Sequence, residues 1–220
     1  MTGKLKAQRA GYAPVKIRLN KVLTTKVFWL KVLIHLGALL PLVNLYYLAL
    51  SDRLSADPVE AVIHFTGIGA LNLLLLTLLV SPLSKYSRQG FLMKTRRLLG
   101  LYAFSYALLH LLNFLFFEVQ FDFALFIGEI FKRPYITVGM VAFVILLLLA
   151  LTSFDKLKRR MGKSWQQLHN LTYPAVVLAG IHFYWSVKSE IIEPGIYLAV
   201  ILGLLLLRRD KLIRWFNKKR

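Results

Sequence analysis

The sequence predicts an all-α integral membrane protein, a bundle of six transmembrane helices with both termini in the cytoplasm. Hydrophobic residues make up 57% of the 220 residues, yet the formal net charge is +19. The apolar residues are gathered into six runs, and most basic residues lie between or outside those runs. This alternation is typical of apolar spans joined by basic loops, and not of a soluble domain.

The six apolar runs are long enough for membrane helices. A span needs about 20 apolar residues, and the fourth and sixth runs reach that length only if flanking residues snorkel. Nothing between the runs is long enough for a second domain, and no internal repeat is apparent. The runs cover residues 28–50, 59–80, 98–117, 135–151, 167–187 and 194–207.

The distribution of charge predicts the orientation. Most of the 29 Lys and Arg residues lie before the first run, after the second, after the fourth and after the sixth. Of the ten acidic residues, all except Asp155 and Asp210 lie on the opposite side. Because basic loops stay in the cytoplasm, we predict basic cytoplasmic tails over residues 1–26 and 208–220, flanking a membrane domain over residues 27–207. The first tail lacks the cleavage site of a signal peptide.

The loop over residues 118–134 is rich in aromatic and aliphatic side chains. Two interpretations stay open at this point. The loop either forms an amphipathic element along the outer interface, where it would offer a docking surface to a partner, or packs as a plain apolar loop on the bundle.

The absence of cysteine limits the possible chemistry. It excludes disulfides, iron–sulfur clusters, covalent haem attachment and thiolate ligands, so a bound metal would use His, Met, Tyr or carboxylate. No nucleic-acid-binding signature interrupts the basic segments, which indicates contact with membrane lipid and no nucleic acid. Sequence motifs that bind dinucleotides or nucleotide phosphates, or that hold a hydrolytic nucleophile, are also absent. If the protein takes part in a redox reaction, its electrons would have to come from and go to other molecules.

All five histidines lie inside or at the end of an apolar run, where imidazoles are costly without a partner. Counting about 1.5 Å per residue from the middle of each run places His64, His110 and His182 in the outer leaflet. His110 and His182 have similar depths on different helices, which suits a pair of axial haem ligands. His64 could replace one of them or bind a haem propionate. The alternative for each histidine is a structural hydrogen bond to a neighbouring helix.

In the inner leaflet, no histidine matches the depth of His169. Residues 165–188 are predicted to form one membrane helix carrying both His169 and His182, roughly 20 Å apart along its axis. The only candidate imidazole to pair with His169 is His35, whose depth differs by roughly 7 Å, and we expect His35 to be structural.

Two arginines stand at the cytoplasmic entry of the third run. Arg96 and Arg97 either anchor the helix by the positive-inside rule or bind a haem propionate or a flavin phosphate, since guanidinium pairs bidentately with such anions.

Six segments of the chain form a recognisable set: ADPVEAVIHFTG (56–67), TRRLLGLYAF (95–104), LLHLLNF (108–114), KRPYITVG (132–139), GKSWQQLHNLTY (162–173) and IHFYWSVK (181–188). Together they resemble one known family, the haem-binding membrane subunits of the bacterial periplasmic methionine sulfoxide reductase system. That family belongs to the ferric reductase-like transmembrane superfamily. The resemblance extends from about residue 25 to the C-terminus.

The resemblance implies a b-type cytochrome of the bacterial inner membrane that binds one haem b or two, and FMN. Its electrons would come from a cytoplasmic flavin reductase or from quinone and pass to a periplasmic molybdopterin-containing methionine sulfoxide reductase subunit. The family's haem histidines fall on His110, His169 and His182, with His64 as the histidine of the second span. Arg96 stands where the superfamily carries an inner histidine, which leaves the inner side to flavin or an unusual ligand set.

Two other functions compete with an electron conduit. A proton-relay transporter would need polar groups along a pathway, and the spans hold few, chiefly Asn44, Asn72 and Asn113. A membrane anchor without redox chemistry would only recruit a periplasmic partner.

Overall fold

The computed structural model describes residues 2–187 and 191–217, with side chains described from residue 22 onward except that of Phe216. Every regular element in these ranges is helical. A 3-10 turn, Gly90–Thr95, leads into the third helix, and a π-helical turn, Phe114–Glu118, follows it. The α-helices are α1 Thr2–Leu50, α2 Pro58–Tyr86, α3 Arg96–Asn113, α4 Phe123–Lys132, α5 Pro134–Leu151, α6 Asp155–Met161, α7 Lys163–His169, α8 Thr172–Ser186, α9 Ile192–Leu206 and α10 Arg209–Asn217.

Four helical segments are long and apolar enough to cross a membrane: Val22–Leu50, Pro58–Tyr86, Gly90–Glu118 and Pro134–Leu151. The remaining apolar helices, α8 and α9, have 15 residues each, about 22 Å of helix. The all-helical, multi-pass prediction is thus confirmed, while the count of six spans and the cytoplasmic termini stay predictions. The predicted domain limits also stay predictions, and α1 continues without a break past residue 26.

Two helices begin at a proline, and a side chain caps one of them. Asp57 caps α2 by accepting a hydrogen bond from the Glu60 amide at 2.9 Å, and Pro58 occupies the first helical position, where its missing N–H costs nothing. Pro134 opens α5 in the same way, directly after α4. The segment over residues 118–134 therefore contains a helix, α4, capped by Asp122.

The prediction of one helix over residues 165–188 is wrong. The chain leaves helical pairing after His169 and resumes it at Thr172. The reason is Pro174, which has no N–H to donate to Asn170 and whose ring crowds that carbonyl. The Asn170 carbonyl accepts from the Tyr173 amide at 3.0 Å instead, which tightens the chain into a turn. His169 and His182 consequently belong to different helices.

The interior is built from two helix pairs, α2 with α3 and α5 with α8, which pack most closely. Leucines and small residues fill the space between the pairs, whereas the outward leucines and valines are exposed, as expected of a surface facing lipid. The central buried side chains include Leu71, Leu74, Leu78, Ala103, Leu146, Ala175 and Val176.

Helix α1 lies on the outside of these pairs, and polar contacts attach it to α3. The Tyr106 hydroxyl donates to the Ala38 carbonyl, and the Tyr46 hydroxyl donates to the Asn113 side chain at 3.1 Å. The His35 Nδ1 atom is hydrogen-bonded to the Tyr102 hydroxyl. His35 therefore lies at the contact between α1 and α3, and its structural role stays a prediction.

Replacing Gly180 should destabilise the bundle. A Cβ atom at this position would lie 2.5 Å from the Ile201 Cδ1 atom and 3.0 Å from the Leu198 Cδ2 atom, so α8 and α9 would have to separate. We expect Gly180→Val to cost about 1–3 kcal/mol, measured as a lower thermal unfolding midpoint in detergent. Gly203→Val is the matched control because no atom lies within 4 Å of the position that its Cβ would take. Equal midpoints for the two variants would contradict this packing.

Candidate functional site

The imidazoles of His110 on α3 and His182 on α8 lie close together. Their ring centroids are 6.0 Å apart and their planes are inclined by 81°. A metal ion held at about 2 Å by one nitrogen of each ring would place the two centroids about 6 Å apart. The two rings are thus spaced to share one metal between them.

Both imidazoles are oriented by main-chain carbonyls. The His110 Nδ1 atom lies 2.9 Å from the Ile63 carbonyl oxygen, and the His182 Nδ1 atom lies 2.7 Å from the Tyr135 carbonyl oxygen. A carbonyl oxygen can only accept, so each Nδ1 carries the proton and donates it. The Nε2 atom of each ring then holds the lone pair, which is the arrangement found in metal-binding histidines.

Glycines make room for the two rings. A Cβ on Gly67 would lie 3.0 Å from the His110 Nδ1 atom, and a Cβ on Gly139 would lie 2.7 Å from the His182 Nδ1 atom. Any larger residue at Gly139 would therefore displace the ring or break its hydrogen bond. The two glycines are part of the site although they contribute no side chain.

The same arrangement of a histidine, a main-chain carbonyl and a glycine occurs twice, once in each helix pair. In α2–α3 and in α5–α8, the histidine follows its carbonyl partner by 47 residues. In both pairs the glycine that makes room for the ring lies four residues after that carbonyl, one turn along the same helix. No repeat was apparent from the sequence, because only these few positions are alike.

His64 lies beside this pair. Its ring is 5.9 Å from the Phe183 ring and inclined by 58° to it, and it is near enough to His110 for their charges to interact. The structure thus gathers His64, His110 and His182, the three histidines that the sequence places in the outer leaflet.

The residues of this site fit a haem better than a bare metal ion. Among the described residues, no group of three or more His, Asp or Glu side chains is arranged to hold an ion. A haem iron needs only two axial ligands from the protein, because the porphyrin supplies four nitrogens. Two opposed imidazoles with free Nε2 atoms meet that requirement.

A salt bridge lies at the N-terminal end of α5. The Arg133 Nε atom lies 2.5 Å from a Glu129 carboxylate oxygen, and its Nη1 atom donates to the Tyr135 hydroxyl at 3.2 Å. The hydrogen bond to Tyr135 raises the pKa of Arg133 above its usual value. These contacts link α4 to the residue whose carbonyl orients His182.

His169 has different surroundings, at the end of α7. The Trp165 ring stacks on its imidazole, with centroids 4.0 Å apart and planes inclined by 26°. The His169 Nε2 atom is hydrogen-bonded to the Thr152 hydroxyl at 3.1 Å, and the Trp165 Nε1 atom donates to the Thr152 carbonyl at 2.9 Å. To bind a metal through Nε2, His169 would have to release Thr152.

The two neighbouring arginines are placed differently. Arg96 is half-buried and near enough to His169 for their charges to interact. Arg97 is exposed and forms a salt bridge with Asp155 at 3.2 Å. Arg96 therefore faces the inner site, whereas Arg97 ties α3 to the start of α6.

Several groups that contribute to the site were not predicted from the sequence. The Ile63 and Tyr135 carbonyls belong to the main chain, which every residue has, so no residue type marks them. The role of Thr152 depends on the turn after α5. Gly139 did carry a signal, since a single glycine inside an otherwise apolar helix often marks a close approach. Gly180 lies against α9 and not against a histidine, since a Cβ there would meet Ile201 and Leu198.

Comparison with known proteins defines first the class of protein. A family model described as "Ferric reductase like transmembrane component" matches residues 66–180, a range that contains His110 and His169. Proteins named "Protein-methionine-sulfoxide reductase heme-binding subunit MsrQ" from Salmonella paratyphi B, Salmonella newport and Salmonella heidelberg are each 47% identical over 197 residues. The match covers 89% of this chain and 99% of theirs. The chain belongs to the MsrQ family of ferric reductase-like membrane proteins.

Enlarging Gly139 should disturb the site without removing a histidine. We expect Gly139→Ala to push the His182 ring away from the Tyr135 carbonyl and to weaken haem binding on the order of tenfold, as loss of a ligand's orienting partner does. The measurement is haem titration of the purified apoprotein followed in the Soret band.

Gly128→Ala is the matched control, since no atom lies within 4 Å of a Cβ built there. If Gly139→Ala bound haem as tightly as this control, the glycine would have no part in placing His182.

Proposed function

We propose that the protein is a b-type cytochrome of the bacterial inner membrane that conducts electrons across it. The observation that carries this proposal is the pair of opposed imidazoles, 6.0 Å apart, each with Nδ1 held by a carbonyl. Membership of the MsrQ family supports it, because the named relatives are called heme-binding subunits.

The chain's own residues would hold and shield the haem. His110 and His182 would bind through Nε2, while the Ile63 and Tyr135 carbonyls keep each ring in one tautomer and orientation. Haem supplies reversible one-electron chemistry at its iron, which neither these imidazoles nor the surrounding aliphatic side chains can provide. The packed helices keep water away, and His64 is near enough to bind a propionate.

On the cytoplasmic side, we propose an electron entry site around His169. It would take either a second haem b or FMN, with Trp165 stacked on the imidazole and Arg96 available to an anionic group. The donor would be a cytoplasmic flavin reductase or quinone. Because the His169 Nε2 atom is hydrogen-bonded to Thr152, we expect this site to bind its cofactor with other ligands than the outer histidine pair.

On the opposite side, the acceptor would be a periplasmic molybdopterin-containing methionine sulfoxide reductase subunit. The names of the relatives, which link them to protein-methionine-sulfoxide reductase, support this partner. Helix α4 carries exposed Phe123, Ile127 and Phe131 beside the outer haem site and is the candidate docking element. Electrons delivered there would support the repair of oxidised periplasmic proteins.

Removing either outer ligand should abolish the outer haem. We expect His110→Ala and His182→Ala each to lose most of the low-spin haem signal, because one imidazole cannot complete the axial pair. The measurement is the dithionite-reduced minus oxidised spectrum, together with haem per protein by pyridine haemochrome.

His35→Ala serves as the control, since the described contacts of His35 join it to Tyr102 and not to the outer histidines, and it should keep the full spectrum. A colourless, haem-free wild type would overturn the proposed function. Unchanged spectra in both ligand variants would overturn the pairing.

The inner site can be tested separately. We expect His169→Ala to leave the outer haem spectrum in place while lowering the total of haem plus FMN per protein. Both cofactors are quantified on the same sample. A wild-type total of one haem without flavin, unchanged in His169→Ala, would show that His169 holds no cofactor.

A further inference from the structure

A cavity of about 290 Å³ lies between α7 and α10, at the predicted cytoplasmic face. Three cations line it, Lys163 from α7 and Lys211 and Arg214 from α10. No carboxylate belongs to its described lining. The remaining polar lining consists of amide side chains, which can donate hydrogen bonds: Gln166, Gln167 and Asn170.

Behind the cavity lies a buried arginine. Arg208 is only 5% exposed, and its guanidinium donates to the Tyr173 hydroxyl at 3.2 Å and to the Leu78 carbonyl. Its Nε atom has no hydrogen-bond partner among the described residues. Lys211 reaches the same Tyr173 hydroxyl from the cavity side, so Tyr173 joins the buried arginine to the cavity lining.

Within the described part of the chain, these cations have no counter-charge. The two acidic residues on this side of the protein are already paired, Asp155 with exposed Arg97 and Asp210 with exposed Arg209. The positive-inside rule accounts for basic residues in water at a membrane surface, but it gives no reason to bury one. Withdrawing a cation from water is costly unless an anion or several hydrogen bonds replace the water.

The groups around Lys211 act mainly against its positive charge. Burial lowers the pKa of its ammonium group, and the charges of Arg96 and Arg208 also lower it, although Tyr173 raises it. An anion between these groups would reverse that effect and keep Lys211 protonated.

We propose that this cavity is a phosphate-binding site, with Lys163, Lys211 and Arg214 as its charged contacts and Arg208 as a buried supporting cation. A phosphate group has several strong acceptor oxygens and up to two negative charges, which suits convergent cations and amides. Two sources share this chemistry at a membrane surface: the headgroup of an anionic phospholipid and the phosphate of a soluble phosphomonoester such as FMN. The site lies apart from the opposed histidines, so it does not depend on the haem proposal.

Delipidated full-length protein tests the site with two probes. FMN is titrated in detergent by its fluorescence, with riboflavin as the phosphate-free comparison. Phosphatidylglycerol is titrated in phosphatidylcholine micelles and counted by native mass spectrometry. The variant is Lys211→Gln with Arg214→Gln, and the matched control is Arg159→Gln with Arg160→Gln on exposed α6, which removes the same charge outside the cavity.

We expect the cavity variant to weaken one probe on the order of tenfold or more, since hydrogen bonds to charged groups are lost. Weakened FMN binding with unchanged riboflavin binding identifies a soluble phosphate, and lost phosphatidylglycerol identifies a lipid headgroup. Binding of neither probe, or equal weakening by the α6 control, would overturn the proposal. Lys163→Gln, an exposed rim substitution, gives the same test if the double variant does not fold.

Haem content is measured on each sample. Its absence would overturn the electron conduit and leave the phosphate comparison intact.

Discussion

The arrangement of this protein depends on one interaction, the hydrogen bond from an imidazole Nδ1 to a main-chain carbonyl of the neighbouring helix. A helical carbonyl already accepts from the amide four residues later, and its second lone pair is free for the histidine. In α2 and α5 that later residue is glycine, so no Cβ blocks the ring. The contact joins each helix pair and also leaves the Nε2 atom unprotonated. Helix packing and the protonation state of the imidazole thus depend on the same few atoms.

The two ends of the membrane domain differ for a physical reason. At the end that holds His110 and His182, each imidazole donates its Nδ1 proton to a carbonyl and keeps an unprotonated Nε2 atom. At the inner end, His169 stands alone on a short helix, stacked on Trp165 and bonded to Thr152. The charged groups that act on it are cations, Arg96 and Lys158, and Arg96 in turn lies near Arg208 and Lys211. The histidine pair leaves two ring nitrogens unprotonated, whereas the charged groups around His169 are cations.

Part of the site could be predicted because depth along a helix depends only on residue count. That counting brought His64, His110 and His182 to one level, and the structure places them together. Counting could not predict the break between α7 and α8, because the effect of Pro174 depends on which groups satisfy the freed carbonyl. It also could not predict which residues Gly139 and Thr152 contact, since those partners are distant in the chain. The repeated arrangement of histidine, carbonyl and glycine was not predicted for the same reason.

The sequence by itself determined the all-helical membrane class, because 57% hydrophobic residues in runs separated by basic loops allow little else. It also excluded thiolate ligands for any bound metal, since the chain has no cysteine. Only the tertiary structure decided which imidazole nitrogen is free, which arginine is paired and which cations are left without a carboxylate. These properties arise from contacts between helices distant in sequence, and hydropathy and spacing describe each helix only by itself.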